Sequence, residues 1–299
     1  MTTTQDMALT LAQTHQAMAA GQCQEYATAC HPTDAALPME QAAVLQACRM
    51  LGFIEVDAQC VASAWQQQTQ RLGYFDAAAW PDQPVDFGMH QSPREEAFPI
   101  CPARLGLYAV LPDAAWVGRM ARAGVPTVQL RFKSEDSHAI RREVEQAVRA
   151  VEGTSSLLFI NDHWQAAIDA GAYGLHLGQE DLTDAPLDTI RAAGLRLGVS
   201  THGYAEMMVA DRVAPSYLAL GAVFPTTLKR MATAPQGLGR LQAYARLMKA
   251  YPLVAIGGID LERMLAVAAS GVGSVAVVRA ITGSEDPEES AKKMIQMLS

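Results

Sequence analysis

The sequence predicts an α/β protein built mainly as a (β/α)8 TIM barrel, with a mainly helical extension before it. From about residue 104 to the end, eight short apolar runs recur at intervals, and amphipathic stretches separate them. Parallel strands that are covered on both faces read as near-continuous apolar runs, which is the pattern seen here. Polar residues follow the runs at their carboxyl ends, where barrels of this kind gather their functional residues.

The eight predicted strands lie in order along the barrel, and a helix is expected after each of them. The strands are 105–111, 127–132, 156–162, 174–178, 195–201, 217–224, 253–258 and 274–281. Amphipathic spacing predicts helices that include 137–151, 241–250 and 260–270. A doubly wound open sheet is the alternative, but the first strand–helix turn lacks the G-x-G-x-x-G pattern typical of that fold.

Residues 1–98 are predicted to form the N-terminal helical extension, of unknown role, and residues 99–299 the barrel. Helices are expected over 5–20, 39–51 and 57–72, where small and apolar residues recur at three- and four-residue spacing. The stretch 77–99 is rich in Pro, Asp and Gln, which indicates a linker or a chain draped over a surface.

The charge of the chain argues against general nucleic-acid binding. The net charge is −8, and the first 99 residues hold 11 of the 31 acidic side chains but only 3 of the 23 basic ones. Phosphate backbones need a basic footprint, which an acidic chain does not offer. The expected partners are therefore small molecules, with no nucleic acid and no membrane; a homo-oligomer remains compatible with the sequence.

The cysteines and the first residues indicate a cytoplasmic protein. Five cysteines are present, an odd number without a C-x-x-C spacing, so neither a disulfide framework nor a structural zinc site is predicted. The N-terminus lacks a basic region followed by an apolar core, as a secretory signal would have. No run of 18 apolar residues exists, so no membrane span is expected.

The polar residues of the second strand suggest an anion site. Gln129, Arg131 and Lys133 alternate with apolar residues, so a period of two points all three to one side. Two cations and an amide on one face at a barrel mouth suit an anionic ligand. An exposed strand edge with ordinary surface charges is the alternative.

Two acids at neighbouring strand ends suggest a magnesium site. Asn161 and Asp162 end the third strand, and Asp181 follows the fourth. Carboxylate oxygens suit Mg²⁺, which takes its other ligands from water and substrate phosphates. Asp181 can instead cap the next helix. His176, inside the fourth strand, is interpreted as a core, cavity-lining or catalytic residue.

The later strand ends extend the anion-handling surface. Ser200 ends the fifth strand, while Thr226 and Lys229 follow the sixth; hydroxyl and ammonium groups are common phosphate ligands. Paired glycines at 257–258 let backbone N–H groups approach a phosphate after the seventh strand. No Ser-His-Asp or Cys-His arrangement indicates covalent catalysis.

These residues resemble the thiamine phosphate synthase family. The matching strings, in the family's order and spacing, are QLRFK, FINDHW, YGLHLGQEDL, LRLGVSTH, LALGAVFPTTLKRMATAPQGL, VAIGGI and VGSVAVVRAIT. They span about residues 104–285. The resemblance implies a transferase that joins 4-amino-5-hydroxymethyl-2-methylpyrimidine diphosphate to a thiazole phosphate, giving thiamine phosphate and pyrophosphate, with Mg²⁺ as cofactor.

The resemblance also implies residue roles. Asp162 and Asp181 correspond to the Mg²⁺ ligands, and Arg131, Ser200 and Lys229 to catalytic residues. The implied substrate-binding residues are Gln129, Arg131, Lys133, Asn161, Ser200, Thr226, Thr227, Leu228, Lys229, Gly258, Val278 and Arg279.

Two of these positions depart from the family pattern. Leu228 lies where a threonine is common, which removes one hydroxyl, and Arg279 lies where a serine is common. Arginine can supply a stronger phosphate donor or point away. Both changes concern the thiazole phosphate rather than the diphosphate.

Two competing functions fit the fold. A thiazole phosphate tautomerase would not need the cations and acids of the diphosphate site. A non-catalytic sensor of thiamine precursors would use the extension as its output module. The extension itself is expected to pack on the barrel or on a partner subunit, and the alternative is a remnant of a fused domain from the same pathway.

Overall fold

The computed structural model describes residues 3–20, 36–90, 94–226 and 233–299. Eight parallel strands pair in chain order, and the last pairs with the first, so the sheet is a closed barrel. The strands are β1 Gly106–Leu111, β2 Thr127–Leu130, β3 Leu157–Asn161, β4 Gly174–Leu177, β5 Arg196–Thr201, β6 Tyr217–Leu220, β7 Leu253–Ile256 and β8 Ser274–Val277. The predicted (β/α)8 barrel is confirmed, and the doubly wound alternative is wrong because β8 pairs in register with β1.

The helices of the barrel surround this sheet. They are α4 Ala114–Arg122, α5 Ser137–Val151, α6 Trp164–Asp169, α7 Gln179–Asp184, α8 Leu187–Ala192, α9 Tyr204–Val213, α10 Gly237–Leu247, α11 Leu261–Ala268, α12 Arg279–Thr282 and α13 Pro287–Leu298. Aspartates begin several of them: Asp113 and Asp260, for example, accept a backbone N–H from the first turns of α4 and α11. Such caps satisfy N–H groups that have no partner inside the helix.

The barrel interior is filled by large side chains rather than left open. Tyr108, Phe159 and Tyr217 are all buried and pack against one another. Gly198 on β5 makes room for this layer, because a Cβ at that position would overlap the Tyr217 ring. The interior therefore has a solid floor, and only the end above it can hold a ligand.

Three α-helices lie in the described residues of the extension: α1 Thr4–Thr14, α2 Met39–Met50 and α3 Glu55–Leu72. The first predicted helix, 5–20, ends earlier than expected and continues as a short 3-10 turn, Gln16–Met18. Aromatic residues form the centre of the extension, where Trp65 stacks on Phe75 and meets Trp80 edge-on. Cys48 is fully buried there, and burial raises the pKa of its thiol.

The described residues of the stretch 77–99 lie on the barrel surface, which is one of the two forms that the sequence allowed. Trp80 donates its indole N–H to the Tyr204 hydroxyl at 2.8 Å, and Phe87 stacks on the Tyr204 ring. Farther along, the Phe98 N–H donates to Ala214 O at 3.0 Å. The extension is thus packed on the barrel helix α9.

None of the helices in the described part of the chain has the length and apolar character that crossing a bilayer requires.

The aromatic centre of the extension predicts a mutational effect on stability. Trp65 is 2% exposed, so Trp65→Ala should lower the free energy of unfolding by about 3–5 kcal/mol in chemical denaturation. Tyr74, which is 59% exposed, is the matched control, and Tyr74→Ala should stay within about 0.5 kcal/mol of the parent. Equal losses of unfolding free energy in the two variants would contradict the burial of Trp65 in the centre of the extension.

Candidate active site

A cavity of about 890 Å³ opens among the described residues at the carboxyl end of the barrel. All eight strands or the turns after them contribute to its lining. Every predicted site residue in the described part of the chain lies on this lining: Gln129, Arg131, Lys133, Asn161, Asp162, Asp181, Ser200, Thr226, Gly258, Val278 and Arg279. Thr227, Leu228 and Lys229 lie outside the described residues. The barrel thus gathers into one cavity residues that are spread over about 150 positions of sequence.

The second strand supplies a row of polar groups from the interior to the rim. Gln129 is 4% exposed, Arg131 is half-buried and Lys133 is exposed. The strand is shorter than predicted and ends at Leu130, but the Arg131 N–H still donates to Leu111 O at 2.8 Å. This bond keeps the backbone extended beyond the strand, so the alternation that placed the three side chains on one side continues.

Asp162 has an unusual backbone conformation at the end of β3. Its φ is +65°, in the left-handed region that few residues other than glycine adopt. The Asp162 N–H donates to His176 O at 3.0 Å, and its carbonyl accepts the Trp164 N–H at 2.8 Å. These two bonds hold the strained turn, and its carboxylate lies on the cavity lining. Strain of this kind is commonly found at functional sites.

Asp181 combines a capping contact with its place on the cavity. It lies in the first turn of α7, and its Oδ2 accepts the Gly178 N–H at 3.1 Å. The capping role that the sequence left open is therefore present. Capping uses one carboxylate oxygen of Asp181. A metal role for this side chain stays a prediction.

A chain of hydrogen bonds crosses the floor of the cavity. Gln129 Nε2 donates to Tyr108 Oη at 2.9 Å, and Tyr108 Oη lies 2.8 Å from Tyr217 Oη. His176 links Tyr217 Oη, 2.7 Å from its Nδ1, to Ser200 Oγ, 2.8 Å from its Nε2. Five strands are joined by these four bonds, and the last group, Ser200, lies on the cavity lining.

The donors of this chain point in one direction. The Gln129 amide nitrogen can only donate, so Tyr108 accepts there and has its own hydrogen for Tyr217. Tyr217 then donates to His176 Nδ1, and the N–H of Nε2 donates to Ser200. The opposite direction would leave the buried Tyr108 hydrogen without its acceptor in this chain, which is costly. The Ser200 hydroxyl is therefore available to donate into the cavity.

Part of this hydrogen-bond chain is not predicted by the sequence pattern. Tyr108 and Tyr217 lie inside apolar runs, where they were assigned only to strands. The available signal was the phenol itself, because a buried tyrosine hydroxyl normally finds a partner. Burial raises the pKa of both phenols, so they remain protonated donors. His202 was also missed; it lies on the cavity lining with its Nδ1 2.6 Å from a Glu206 carboxylate oxygen.

The opposite side of the mouth is made by the turns after β6, β7 and β8. Gly258 has a φ of +64°, and a Cβ there would lie 2.5 Å from Pro225 O, so the turn after β6 rests directly on this glycine. Arg263 donates to Gly258 O at 2.7 Å. The short helix α12 begins at Arg279, directly after β8, and both Val278 and Arg279 line the cavity. A short helix in this position is a common part of phosphate sites in TIM barrels.

The described residues contain no group of three or more His, Cys, Asp or Glu side chains arranged to hold a metal ion. A pair of carboxylates at a cavity mouth still fits Mg²⁺. This ion is often held by one or two carboxylates and completes its ligands with water and substrate phosphate oxygens. Asp162 and Asp181 provide such a pair on one lining.

Comparison with known proteins adds an independent observation. A family model described as thiamine monophosphate synthase matches residues 100–281. The chain belongs to the thiamine monophosphate synthase family. A member of this family, the thiamine-phosphate synthase of Neisseria meningitidis serogroup B, is 54% identical over 195 residues, which cover 65% of this chain and 95% of the relative.

Two further relatives also match about two thirds of this chain and nearly all of their own length. A thiamine-phosphate synthase of Salmonella paratyphi B is 50% identical over 198 residues, which cover 66% of this chain and 94% of that protein. Among solved structures, a thiamine phosphate pyrophosphorylase from Pyrococcus furiosus matches with 26% identity and a TM-score of 0.58, covering 65% of this chain and 95% of its own. The family model begins at residue 100, so the extension lies outside the family match.

The support of the β6 turn by Gly258 predicts a measurable cost of adding a methyl group. Gly258→Ala should lower the free energy of unfolding by about 1–2 kcal/mol for its left-handed backbone and by about 1–3 kcal/mol more for the clash with Pro225. Gly171 has almost the same φ, +65°, but nothing lies near its Cβ position. Gly171→Ala therefore isolates the backbone cost. Denaturation curves with equal losses for the two variants would contradict the contact.

Proposed function

We propose that this chain is a thiamine phosphate synthase, a transferase that condenses 4-amino-5-hydroxymethyl-2-methylpyrimidine diphosphate with a thiazole phosphate. Thiamine phosphate and pyrophosphate are the products. The observation that carries this proposal is the convergence of the family-matched polar residues of β2, β3, β4 and β5 on one cavity. A tautomerase would not need this cationic and acidic group, so the transferase is favoured over it.

The pyrimidine diphosphate is assigned to the side of the cavity formed by β2 to β5. Arg131 and Lys133 provide positive charge at the rim, and Asn161 adds an amide beside them. Prepositioned cations stabilise the charge that develops on a departing pyrophosphate without reorganising at the moment of bond breaking. Lys229, implied by the resemblance, would add a further cation from the turn after β6.

Ser200 is proposed to donate a hydrogen bond to the diphosphate. The chain from Gln129 to His176 supplies a donor to Ser200 Oγ, so the hydroxyl hydrogen of Ser200 is directed towards the ligand. In this direction His176 Nδ1 accepts from Tyr217, and Nε2 carries the hydrogen that is donated to Ser200. In this arrangement His176 orients Ser200 and has no need to move a proton during the reaction.

Asp162 and Asp181 are proposed to hold Mg²⁺ together with the diphosphate oxygens. The chemistry that Mg²⁺ supplies when bound is positive charge on the leaving group. The strained turn at Asp162 fixes where its carboxylate stands before the substrate arrives. Such preorganisation reduces the cost of assembling the charged site.

The thiazole phosphate is assigned to the turns after β6, β7 and β8. Thr226 supplies a hydroxyl, Gly258 an accessible backbone, and the start of α12 at Val278–Arg279 further donors. Arg279 is exposed on this side of the cavity. A guanidinium there provides more donors than the serine common in the family, so it offsets the hydroxyl lost at Leu228.

We also infer the setting in which this reaction takes place. The barrel, 99–299, is proposed as the catalytic domain and 1–98 as a separate extension, in agreement with a family match that begins at residue 100. A cytoplasmic location and small-molecule partners suit a biosynthetic enzyme with a net charge of −8.

The direct experiment gives the purified protein both substrates with Mg²⁺ and follows thiamine phosphate by chromatography. Formation of thiamine phosphate and pyrophosphate in equal amounts is the expected result. Tight binding of either substrate without product would overturn the synthase proposal and favour a sensor.

Asp162 provides the sharpest site test. Asp162→Asn is preferred to alanine, because asparagine tolerates the left-handed backbone that this position requires. Turnover should fall about 10²–10³-fold and need more Mg²⁺, while circular dichroism stays unchanged.

Asp169→Asn is the matched control for that variant. Asp169 ends the neighbouring helix α6, where it accepts from Gln165 and does not line the cavity. Its activity should equal that of the parent. If Asp162→Asn keeps the parent's rate and Mg²⁺ dependence, the proposed metal role is wrong.

A further inference from the structure

The helix α9 begins without a capping side chain of its own. Its N-cap residue is Gly203, and the first turn of a helix leaves backbone N–H groups that need acceptors. The acceptor comes from the extension: Asp57 Oδ1 of α3 accepts the Ala205 N–H at 2.9 Å. Asp57 is 3% exposed, and a Cβ at position 203 would overlap its carboxylate. Asp57 therefore occupies the place where the side chain of an N-cap residue would lie.

The capped turn is directly connected to the cavity. Gly203 follows Ser200, Thr201 and His202, all of which line the cavity. Glu206, in the first turn of α9, accepts the His202 N–H at 2.8 Å and contacts its ring nitrogen. The position of the first turn of α9 thus sets the position of the residues that end β5.

A reciprocal contact joins the extension to the turn after β6. Arg240 of α10 is 3% exposed and donates to Met18 O and Leu51 O, at the ends of two extension segments. Its guanidinium also donates to Gln236 Oε1 at 3.2 Å. The Gln236 N–H donates to Ala222 O at 2.8 Å, so Arg240 is linked through Gln236 to the residues that directly follow β6.

The buried charges make this junction specific. Burial raises the pKa of Asp57, while its bond from Ala205 and the nearby Arg240 act in the opposite direction. Burial likewise lowers the pKa of Arg240. Charges that are buried with satisfied hydrogen bonds fix one arrangement of the elements they join, because losing one partner leaves the other uncompensated. Asp57 lies outside the region that the family model matches, whereas Arg240 lies within it.

We propose that the extension is a positioning element of the active site, acting through Asp57 on the end of β5 and through Arg240 and Gln236 on Ala222, which lines the cavity. This inference rests on the proposed function for its kinetic consequence, and on the structure alone for its effect on the backbone. Asp57 is a positioning residue, since it does not belong to the cavity lining.

The test uses the full chain and a rescue at Gly203. Asp57→Ala should lower kcat/KM at least about tenfold, mainly by raising KM for the pyrimidine diphosphate, because small misplacements of binding groups are costly. In that background Gly203→Ser can cap α9 locally, in the space that the carboxylate vacates, and should restore kcat/KM to within about threefold of the parent. Gly203→Ser alone should be worse than the parent, because Asp57 still fills that space.

The controls separate positioning from general stability. Asp6→Ala removes an exposed capping carboxylate within the extension and should leave both kinetic constants unchanged. If Asp57→Ala does not fold, Asp57→Asn takes its place. Asparagine keeps an oxygen acceptor, so this variant should lower kcat/KM by less than Asp57→Ala would. A purely structural role would reduce the melting temperature of Asp57→Ala without changing KM or the kcat per folded molecule, and that result would overturn the proposal.

A readout that needs no turnover keeps this proposal distinct from the proposed function. Hydrogen exchange of peptides that cover residues 198–209 should speed up at least about tenfold in Asp57→Ala and return towards the parent in the double variant. Unchanged exchange there would overturn the positioning role, whether or not the protein makes thiamine phosphate. Absence of product with the expected exchange pattern would overturn only the synthase function.

Discussion

The pairing of β8 with β1 is the constraint on which the rest of the structure depends. It closes the sheet, and closure brings the carboxyl ends of eight parallel strands into one ring. The polar residues predicted as site residues at the strand ends then face the same space, whatever their distance along the chain. An open sheet with the same strands would spread these residues along an edge.

Closure also creates an interior that must be filled, and this chain fills it with aromatic residues that carry hydroxyl groups. Buried phenols and an imidazole would be costly without partners. The hydrogen-bond chain from Gln129 to Ser200 satisfies them and gives the chain a direction. The same bonds that make the core acceptable therefore orient a serine at the cavity floor, so packing and site geometry share one set of contacts.

The extension is joined to the barrel by a small number of buried polar groups among aromatic side chains. Asp57 caps a barrel helix, while Arg240 of the barrel caps segments of the extension. Tyr204, the first residue of α9, is stacked on Phe87 and accepts a hydrogen bond from Trp80 of the extension. Each half thus satisfies backbone groups of the other, which explains how a segment outside the family match is integrated with a family barrel.

The local features of this protein follow from patterns among neighbouring residues. Apolar periodicity predicted all eight strands: each observed strand begins within about one residue of its predicted start and ends within about four residues of its predicted end. It also predicted α5 over 137–151, as observed. The polar strand ends named residues that the fold brings to one cavity, because strand polarity and period-two alternation are properties of neighbouring residues.

The contacts between distant elements depend instead on how the whole chain folds. Tyr108 and Tyr217 are 109 residues apart, on strands that are not neighbours in the sheet, and meet only across the closed interior. The left-handed turn at Asp162 and the cap that Asp57 gives to α9 likewise depend on long-range hydrogen bonds. A local pattern carries no information about such partners, because barrel closure and the docking of the extension, not sequence spacing, set which groups come together.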